Sequence, residues 1–391
     1  MIDGTVGKYV SVNGRKCSNF ASFNFLNMVG NERVSERAEA AVDKYGVGSC
    51  GPRGFYGTFD IHLEFEERLA KFLRCEEVAL YSYGFSTVAS VIPAYSKRSD
   101  IIFADEKVHY AIQKGICASK STVVYFRHND SGHLEELLMK QRDSDIRNPK
   151  KAKSMRRFLV VEGLYINTGL VSPLREFVRL RNEYKVRIIL DETAAIGVIG
   201  KHGRGSIEHW NVSIDDVDII SGSLEHAFAS IGGFSAGSAY VVDHQRLSSL
   251  GYCFSASLPP LLTAAALEVL SQIEQSDGAL QLTLKQKSEY LHSKLANLTH
   301  YSCQGESYSP IKHIHLTQDN SEHRLENIVQ FALSRSVLIT QPRYLPDEIS
   351  QQIPTIRLIV NVDVDYDELD KLCTVLNDAL QITESLENGV L

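Results

Sequence analysis

The alternation of short apolar runs with segments of helical spacing is the feature that most constrains the fold of this chain. Repeated strand and helix indicate an α/β fold with a mainly parallel sheet covered on both faces. Ligands bind such sheets beyond the carboxyl ends of the strands, so the residues that follow each run are the first candidates for a site. The runs are VALYS at 78, IIFAD at 101, TVVYF at 122, FLVVE at 158, VRIILDE at 186 and VDIISG at 217.

The flanking segments indicate how the chain is divided. Residues 33–45 and 60–74 have the spacing of amphipathic helices and precede the first of these runs. Pro259 and Pro260 introduce a long helical region, and the final third, with strand-like IKHIHL and TIRLIVNV, indicates a smaller α+β lobe. We predict an N-terminal segment at 1–45, a large domain at 46–275 and a small C-terminal domain at 276–391.

The charge balance argues against a nucleic-acid ligand. The 391 residues include 41 Lys and Arg against 48 Asp and Glu, and the net charge of −7 offers no general attraction to phosphate backbones. The densest basic run, residues 141–157, also contains a proline. We interpret it as a solvated surface loop in preference to a site for an anionic partner.

Cysteine usage and apolar stretches give no sign of secretion or membrane insertion. The seven cysteines are scattered and form no CxxC pair, which indicates reduced structural thiols and not a zinc site or a redox couple. The longest uncharged stretches, 78–96 and 247–267, are interrupted by Ser, Gly, Thr and Pro, which argues against membrane helices. No basic and then apolar signal follows Met1.

The segment GVGSCG, residues 46–51, spells the dinucleotide fingerprint GxGxxG in the wrong context. The fingerprint needs a strand before it and a helix at its end, whereas here a helix precedes it and Pro52 follows it. Nicotinamide binding is therefore not indicated. A loop this rich in glycine still allows the backbone to approach a ligand or another chain closely.

The segment GFSAG, residues 233–237, matches the GxSxG nucleophile elbow. Asp243 and His313 could complete the triad order, but the SAYVV run that follows this segment has the pattern of a strand where the elbow needs a helix. A hydrolase is therefore not favoured. His313 and His315 would share one strand face, and without a nearby third ligand we interpret that face as polar and not as a metal site.

Acidic and imidazole side chains follow several of the apolar runs. Parallel strands bring such groups to one edge of the sheet, where they suit a flat, phosphorylated heteroaromatic cofactor. The ring nitrogen needs an anion, the ring face needs a planar group, and the phosphate needs backbone amides. The pattern suggests pyridoxal phosphate, and the alternative for any single residue is an ordinary solvated loop. The residues are Asp105, His109, His128, Asn129, Asp130, Glu162, Asp191, Glu192 and His226.

Nearly the whole chain resembles the α-oxoamine synthases, fold-type I pyridoxal phosphate enzymes that condense an amino acid with an acyl-CoA. Their fold is a large, mainly parallel sheet domain with a smaller C-terminal α+β domain. The matching segments occur in the family's order, which makes the resemblance highly specific. They are YGVGSCGPRGFYGTFDIHLEFE at 45, YSYGF at 81, DEKVHYAIQKG at 105, FRHND at 126, VVEGLYINTG at 160, LDETAAIGVIGKHGRG at 190, GSLEHAF at 222, IGGF at 231 and FSASLPP at 254.

The resemblance implies a cofactor site that this chain keeps only in part. Gly84 and Phe85 would lie beside the cofactor phosphate, His109 would stack on the pyridine face, and Asp191 would pair with the pyridine nitrogen. The chain departs from the family at two positions. His226 stands where the family has the Schiff-base lysine, and Ala194 stands where a family histidine contacts the cofactor's ring oxygen.

The loss of the lysine has a chemical consequence of its own. A Schiff base needs a primary amine, which imidazole lacks, so His226 cannot anchor the cofactor covalently. No lysine lies between Lys201 and Lys285 to replace it. The RLIVNVDVD segment at 357 also differs from the family's usual RLRI and downstream His-Thr. We therefore expect no catalytic residues in this chain, and Gly84, Phe85, His109 and Asp191 to be vestigial.

The lysine-lacking pattern together with GPRGFYGT resembles the non-catalytic long-chain-base subunits of serine palmitoyltransferases. That resemblance implies an obligate heterodimer with a lysine-bearing subunit that binds pyridoxal phosphate covalently. L-serine and palmitoyl-CoA would be condensed to 3-oxosphinganine at the shared site, in sphingolipid synthesis. Residues of this chain would act in trans because glycine-rich backbone and small hydroxyls can approach a neighbour's ligand closely. They are Gly51, Arg53, Tyr56, Ser255 and Ser257.

The same resemblance implies further partners and a location. Small activating subunits and ORM-type regulators would bind the complex at the cytosolic face of the endoplasmic reticulum membrane. Such subunits usually carry an N-terminal membrane helix, whereas Met1 stands close to the enzyme-like core, and truncation and natural absence both stay open. Two rival functions also stay open: an active homodimeric α-oxoamine synthase that uses His226, and a free-standing scaffold pseudoenzyme without an enzyme partner.

Overall fold

The computed structural model describes residues 1–350 and 352–387, with side chains as far as residue 380. The chain divides into two units. The larger contains Glu32–Tyr165 and Val171–Gln275, and the smaller contains Met1–Asn31, Ile166–Leu170 and the chain from Ser276 onward. The predicted N-terminal segment 1–45 is therefore split, because its helix packs in the larger unit and its strands in the smaller one.

The larger unit is built on a mixed sheet, mainly parallel as predicted. Among the described residues its strand order is β4-β10-β9-β8-β7-β5-β6, and the neighbours from β9 to β6 run parallel to one another. Strand β10 is antiparallel to both β4 and β9. The strands are β4 (Glu77–Tyr81), β5 (Ile101–Asp105), β6 (Thr122–Phe126), β7 (Arg157–Glu162), β8 (Arg187–Asp191), β9 (Ile219–Ser223) and β10 (Gly233–Gly237).

Helices connect and accompany these strands. Asp130 shows how one of them begins, because its side chain accepts a hydrogen bond from the backbone N–H of His133 at 2.8 Å and so caps α5. The helices are α1 (Glu32–Tyr45), α2 (Asp60–Leu73), α3 (Gly84–Tyr95), α4 (Tyr110–Ser119), α5 (Ser131–Arg147), α6 (Pro149–Ser154), α7 (Leu174–Tyr184), α8 (Ser206–Trp210), α9 (Ala239–Ser248), α10 (Leu250–Cys253) and α11 (Pro260–Gln275), with a 3₁₀ turn at Ile214–Asp216.

The core of the larger unit lies between the sheet and the helices α3 and α4, which pack on each other. Burial of these apolar side chains contributes most to the stability of the unit. It thereby holds the edge of the sheet, and the residues that follow its strands, in place. The buried cluster includes Val88, Val91 and Ile92 of α3, Ile112 and Ile116 of α4, and Ile102, Phe158, Val160 and Ile189 of the sheet.

The smaller unit contains two small sheets and three helices among the described residues. One sheet has the order β1-β2-β3-β13, and the other, β11-β12-β14, is antiparallel throughout. The elements are β1 (Ile2–Asp3), β2 (Tyr9–Val12), β3 (Arg15–Asn19), α12 (Ala279–Leu295), β11 (Tyr301–Gln304), β12 (Ile311–Leu316), α13 (Glu322–Ser334), β13 (Val337–Leu338), β14 (Ile356–Ile359) and α14 (Tyr366–Glu387).

Three local predictions were wrong. The SAYVV run is the start of helix α9 and not a strand: the helix runs from Ala239 to Ser248, and its first N–H, that of Ala239, donates to Glu76 Oε2 at 2.7 Å. The basic run 141–157 is solvated but largely helical, in α5 and α6. His313 is buried, not on a polar outer face: its ring nitrogens lie 2.9 Å from Thr355 Oγ1 and from the carbonyl oxygen of Ile166.

Among residues 1–350 and 352–387, we find no helix that combines the length and the apolar character needed to cross a membrane.

Candidate functional site

The carboxyl ends of the parallel strands bring several of the predicted polar groups to one edge of the sheet. In the register of β7, β8 and β9, Glu162 lies opposite Asp191, and Asp191 lies opposite Ser221. All three side chains are buried. The edge thus has a polar centre enclosed by the apolar core, where electrostatic interactions are strong.

His109 is the cation of this centre. Its backbone N–H donates to Glu162 Oε1 at 2.6 Å, and its Nε2 lies 3.5 Å from Asp191 Oδ1. Burial lowers the pKa of His109, but the negative charges of Glu162 and Asp191 outweigh burial and raise the pKa to about 9. His109 is therefore an imidazolium at neutral pH.

Asp191 is held in its ionised form by the groups around it. Ser221 Oγ donates to Oδ2 at 2.8 Å, and the backbone N–H of Thr193 donates to Oδ1 at 3.0 Å. Burial raises the pKa of Asp191, but the interactions with His109, Thr193 and Ser221 outweigh burial, and the net pKa lies below its usual value. An ionised carboxylate in this position could pair with a ring nitrogen.

Asp105 and His128 are engaged with each other. His128 Nδ1 lies 2.9 Å from Asp105 Oδ1, and the backbone N–H of Asn129 donates to Asp105 Oδ2 at 2.8 Å. The His128 ring also meets the Tyr165 ring edge to face, with centroids 4.5 Å apart. This group fixes the turn after β6, and Asp130 is committed to capping α5.

Glu192 and Ala194 lie in the segment that follows β8. The carboxylate of Glu192 accepts hydrogen bonds from the backbone N–H of Ser206, 3.0 Å from Oε1, and from its hydroxyl. Burial raises the pKa of Glu192 to about 7. Glu192 thus anchors the start of α8, while Ala194 is buried and offers no polar atom to a ligand.

His226 lies in the turn between β9 and β10 and is half-buried. Two backbone hydrogen bonds close the turn: Leu224 N–H to the carbonyl of Gly232, and Ser230 N–H to the carbonyl of Leu224, both at 2.9 Å. The turn therefore presents an imidazole at a fixed place beside the sheet edge.

The first turn of α3 approaches the same β9–β10 turn. Gly84 is the first residue of α3, and its backbone N–H donates to Glu225 Oε1 at 3.2 Å. A Cβ atom on Gly84 would lie 2.4 Å from Ser223 Oγ, so only glycine fits this close approach. The side chain of Phe85 is 52% exposed and lies near the ring of Tyr110.

The glycine-rich loop, residues 46–57, is tied to residues 254–258. The carbonyl oxygen of Gly51 accepts hydrogen bonds from the backbone N–H of Ser257 at 2.8 Å and from its hydroxyl at 3.0 Å. Ser49 Oγ donates to the carbonyl oxygen of Ser257 at 2.8 Å. We call these two segments the paired loops.

Of the five predicted trans-acting residues, Gly51, Arg53 and Ser257 are buried, whereas Tyr56 and Ser255 are not. Arg53 faces inward and forms a bidentate ion pair with Glu66, with N–O distances of 2.7 and 3.0 Å. Gly51 and Ser257 are buried in the pairing of the loops. Ser255 is half-buried, and Tyr56 is 91% exposed with a left-handed φ of 61°.

The left-handed φ of Tyr56 is unusual for a residue with a large side chain. Such a backbone conformation costs about 1–3 kcal/mol and persists where the surroundings impose it, often at functional sites. On both sides of Tyr56 the backbone is held by the carbonyl oxygen of Pro52, which accepts from the Phe55 N–H at 2.9 Å and from the Gly57 N–H at 3.1 Å. The paired loops are therefore a preformed surface that displays Tyr56.

Sequence reasoning missed three side chains of the site. Ser221 precedes the β9–β10 turn, Glu66 lies on α2, and Glu225 is adjacent to His226. The sequence carried a signal for Glu225, since an acidic residue stood inside the matched GSLEHAF segment. Its bond to Gly84, 141 residues away, could not be read from sequence.

Comparisons with known families and proteins agree with this geometry. The family described as Aminotransferase class I and II matches residues 15–376. The chain belongs to the aminotransferase class I and II family. The larger unit, with its mixed sheet of mainly parallel strands, has the fold of the fold-type I pyridoxal phosphate transferases.

Within this family, the chain is similar to proteins of long-chain-base synthesis, as its sequence predicted. Long chain base biosynthesis protein 1b of Oryza sativa is 46% identical over 310 residues, which are 79% of this chain and 63% of the rice protein. Serine palmitoyltransferase 1 of Dictyostelium discoideum is 36% identical over 397 residues, 96% of this chain and 80% of that protein. The chain thus spans less than two thirds of the rice relative.

A solved structure gives the same relationship. Sphingomonas wittichii serine palmitoyltransferase superposes with a TM-score of 0.88 at 25% sequence identity, and the match covers 100% of this chain and 93% of that one.

Proposed function

We propose that this chain is a non-catalytic subunit of a serine palmitoyltransferase, which condenses L-serine with palmitoyl-CoA, with loss of CO2, to 3-oxosphinganine. The observation that carries the proposal is His226, in the turn where the α-oxoamine synthases have their Schiff-base lysine. The similarity to long-chain-base proteins supports the pathway, sphingolipid synthesis. The loss of the amine supports the non-catalytic role.

The pocket of this chain does not fit pyridoxal phosphate at either end. Asp191 and His109 could serve the ring, but a charged His109 already neutralises Asp191. Ala194 and His226 supply neither a polar contact for the ring oxygen nor an amine. At the other end, the first N–H of α3 is bound by Glu225. We therefore assign the cofactor to a lysine-bearing partner, and derive no chemical step on this chain.

The paired loops are the part of this chain that we assign to the partner's site. Val47 is 71% exposed, Phe55 69%, Tyr56 91% and Phe254 80%. Phe55 and Tyr56 pack edge to face, with ring centroids 5.2 Å apart. Large apolar side chains that are exposed together mark protein interaction surfaces. This surface would bury them against the lysine-bearing subunit in an obligate heterodimer.

The five trans-acting residues divide into two roles in this proposal. Tyr56 and Ser255 would contact the partner or its ligand directly. Gly51, Arg53 and Ser257 would act through the shape of the paired loops, because their contacts lie within this chain. Exclusion of water from the partner's site would be the main effect of the exposed aromatic rings.

The proposal extends to regulation and location. The complex would lie at the cytosolic face of the endoplasmic reticulum membrane, held there by its partners or by an N-terminal anchor. Small activating subunits and ORM-type regulators would bind the assembled complex.

Co-expression with a lysine-bearing paralogue tests the proposal. We expect a stable complex with serine-dependent condensation of palmitoyl-CoA, and no condensation by this chain alone. Tyr56→Ala should weaken association about thirtyfold or more, since an aromatic hot spot contributes about 2 kcal/mol or more. Ile146→Ala, at a side chain 71% exposed on α5, is the matched control and should leave association unchanged.

The rival functions give different results in the same experiment. An active homodimer would condense serine and palmitoyl-CoA without the paralogue. A free-standing scaffold would form no complex and would leave the paralogue's activity unchanged. Either result would contradict the proposal.

A further inference from the structure

The N-terminus of helix α3 is bound by an acidic side chain from a distant part of the chain. Glu225 Oε1 accepts the hydrogen bond of the Gly84 N–H at 3.2 Å. Helix N-termini favour anions, because their first N–H groups lack partners within the helix and the helix dipole is positive there. A phosphate at this place would need the same N–H groups.

The backbone of Glu225 is held at this place, while its side chain is exposed. Its N–H donates to Ser223 Oγ at 3.1 Å, and Ser223 is itself 2% exposed at the end of β9. A Cβ atom on Gly84 would lie 3.1 Å from Glu225 Oε1 and 2.4 Å from Ser223 Oγ. Ser223 therefore packs tightly against the start of the helix, and the exposed Glu225 side chain places its carboxylate at the solvent side of the same contact.

Helix α3 supplies no anion of its own. Its first turn contains no acidic residue, and the side chain of its N-cap residue, Tyr83, forms no capping hydrogen bond. A carboxylate from the β9–β10 turn supplies the missing acceptor. A phosphate group, with a charge of about −1.5 to −2 at neutral pH, would meet this carboxylate at close range and would be repelled.

We propose that Glu225 is the built-in anion of the α3 N-terminus and that it excludes phosphorylated ligands from the pocket of this chain. This exclusion is independent of the missing lysine, so the chain would reject the phosphorylated cofactor even before covalent chemistry is considered. The inference deepens the proposed function, on which its biological meaning rests: only the partner's site would take up cofactor.

Binding of pyridoxamine 5′-phosphate to the isolated full chain tests this inference. The probe lacks an aldehyde and so does not react with surface lysines. We expect very weak binding by the wild type, and binding about tenfold tighter or more by Glu225→Ser, measured by calorimetry, because the helix N-terminus is then open to phosphate. Glu225→Gln keeps the shape without the charge and should give an intermediate gain.

Two controls show whether the gain in binding depends on the phosphate group of the probe and on the position of the removed carboxylate. Pyridoxamine, without the phosphate, should bind wild type and Glu225→Ser equally. Glu76→Ser is the matched variant: Glu76 Oε2 accepts the Ala239 N–H at 2.7 Å at the start of α9, so its removal also frees a helix N-terminus, but with no gain in binding of the probe.

Two results would overturn the inference: equal binding of pyridoxamine 5′-phosphate by wild type, Glu225→Ser and Glu225→Gln, or an equal gain for both probes. Circular dichroism verifies the fold of each variant, and Glu225→Gln carries the test if Glu225→Ser does not fold. These outcomes are separate from the co-expression test. A failed complex would remove the proposed function without changing the binding result, and the reverse also holds.

Discussion

His109 lies at the predicted position on the sheet edge, but it is engaged by carboxylates of this chain. In this chain the His109 ring lies 3.5 Å from Asp191 Oδ1, its backbone N–H donates to Glu162, and the two carboxylates together raise its pKa. A cofactor ring would have to compete with this pairing for Asp191. The arrangement therefore contributes to the stability of the larger unit, and this contribution depends on pH.

The pH dependence of stability follows from the direction in which the pKa of His109 is shifted. The folded-state pKa of about 9 exceeds the ordinary value of 6.5, so the contribution is complete below pH 6.5 and is lost as pH rises through 9. His109→Gln should remove this loss, which is on the order of 3 kcal/mol in the free energy of unfolding. Urea unfolding at several pH values between 6 and 10 measures it.

His62 provides the matched control for this measurement. It is a buried histidine whose pKa is lowered by burial, so its contribution changes only below pH 6.5. His62→Gln should leave the slope between pH 6.5 and 9 as in the wild type. An unchanged slope in His109→Gln would contradict the assigned ion pair.

Restoring the lysine alone should not restore an enzyme. His226→Lys supplies an amine, but Ala194 still lacks a polar atom and Glu225 still binds the start of α3. We expect the isolated variant to give no serine-dependent condensation above the wild-type background. Assay with palmitoyl-CoA and labelled L-serine measures this, and robust turnover by the single variant would show that the pocket is otherwise intact.

At the scale of elements, the paired loops depend on glycine at one particular position. A Cβ atom on Gly51 would lie 2.4 Å from the carbonyl oxygen of Phe55, a backbone atom that cannot move away alone. Gly51→Ala should therefore shift the loop that displays Tyr56 and lower the turnover of the assembled complex about tenfold. Steady-state kinetics of the purified complex measure the effect.

Gly54 is the matched control in the same loop. A Cβ atom there meets nothing within 4 Å, and its φ lies outside the left-handed region. Gly54→Ala should leave turnover unchanged. Normal kinetics in an assembled Gly51→Ala complex would contradict the role of the loop's shape.

The sequence predicted the elements with strong periodicity and missed those set by distant contacts. The apolar runs of the sheet and the helices at Glu32–Tyr45 and Asp60–Leu73 are visible in the sequence because burial imposes their spacing. The SAYVV run misled because a short apolar stretch fits a strand or a helix equally, and the acceptor of the Ala239 N–H at the start of the helix is Glu76, 163 residues away in the sequence.

The sequence predicted which residues lie at the candidate site, but not which of them contact one another. Parallel strands bring Asp105, Glu162 and Asp191 to one edge, which the order of strands and helices implies. The inward turn of Arg53 toward Glu66 depends on a contact between a loop and α2, and the burial of His313 depends on a neighbouring segment, residues 166–170. Such contacts follow from tertiary packing, which periodicity does not encode.

At the scale of the whole molecule, we assign the chemistry and its structural support to different chains. This chain would contribute a preformed surface, the paired loops, and a pocket filled by its own charges. The partner would contribute the lysine and the cofactor. The net charge of −7 gives no general attraction to nucleic acids, so we assign the exposed aromatic surface to a protein partner.

Borohydride reduction of the purified complex, followed by mass spectrometry of both chains, tests this division most directly. Reduction fixes pyridoxal phosphate to whichever lysine holds it. We expect a pyridoxyl-lysine in the partner and none in this chain, with condensation activity only in the complex. A pyridoxyl adduct on a lysine of this chain, together with product formation by the isolated chain, would contradict the account.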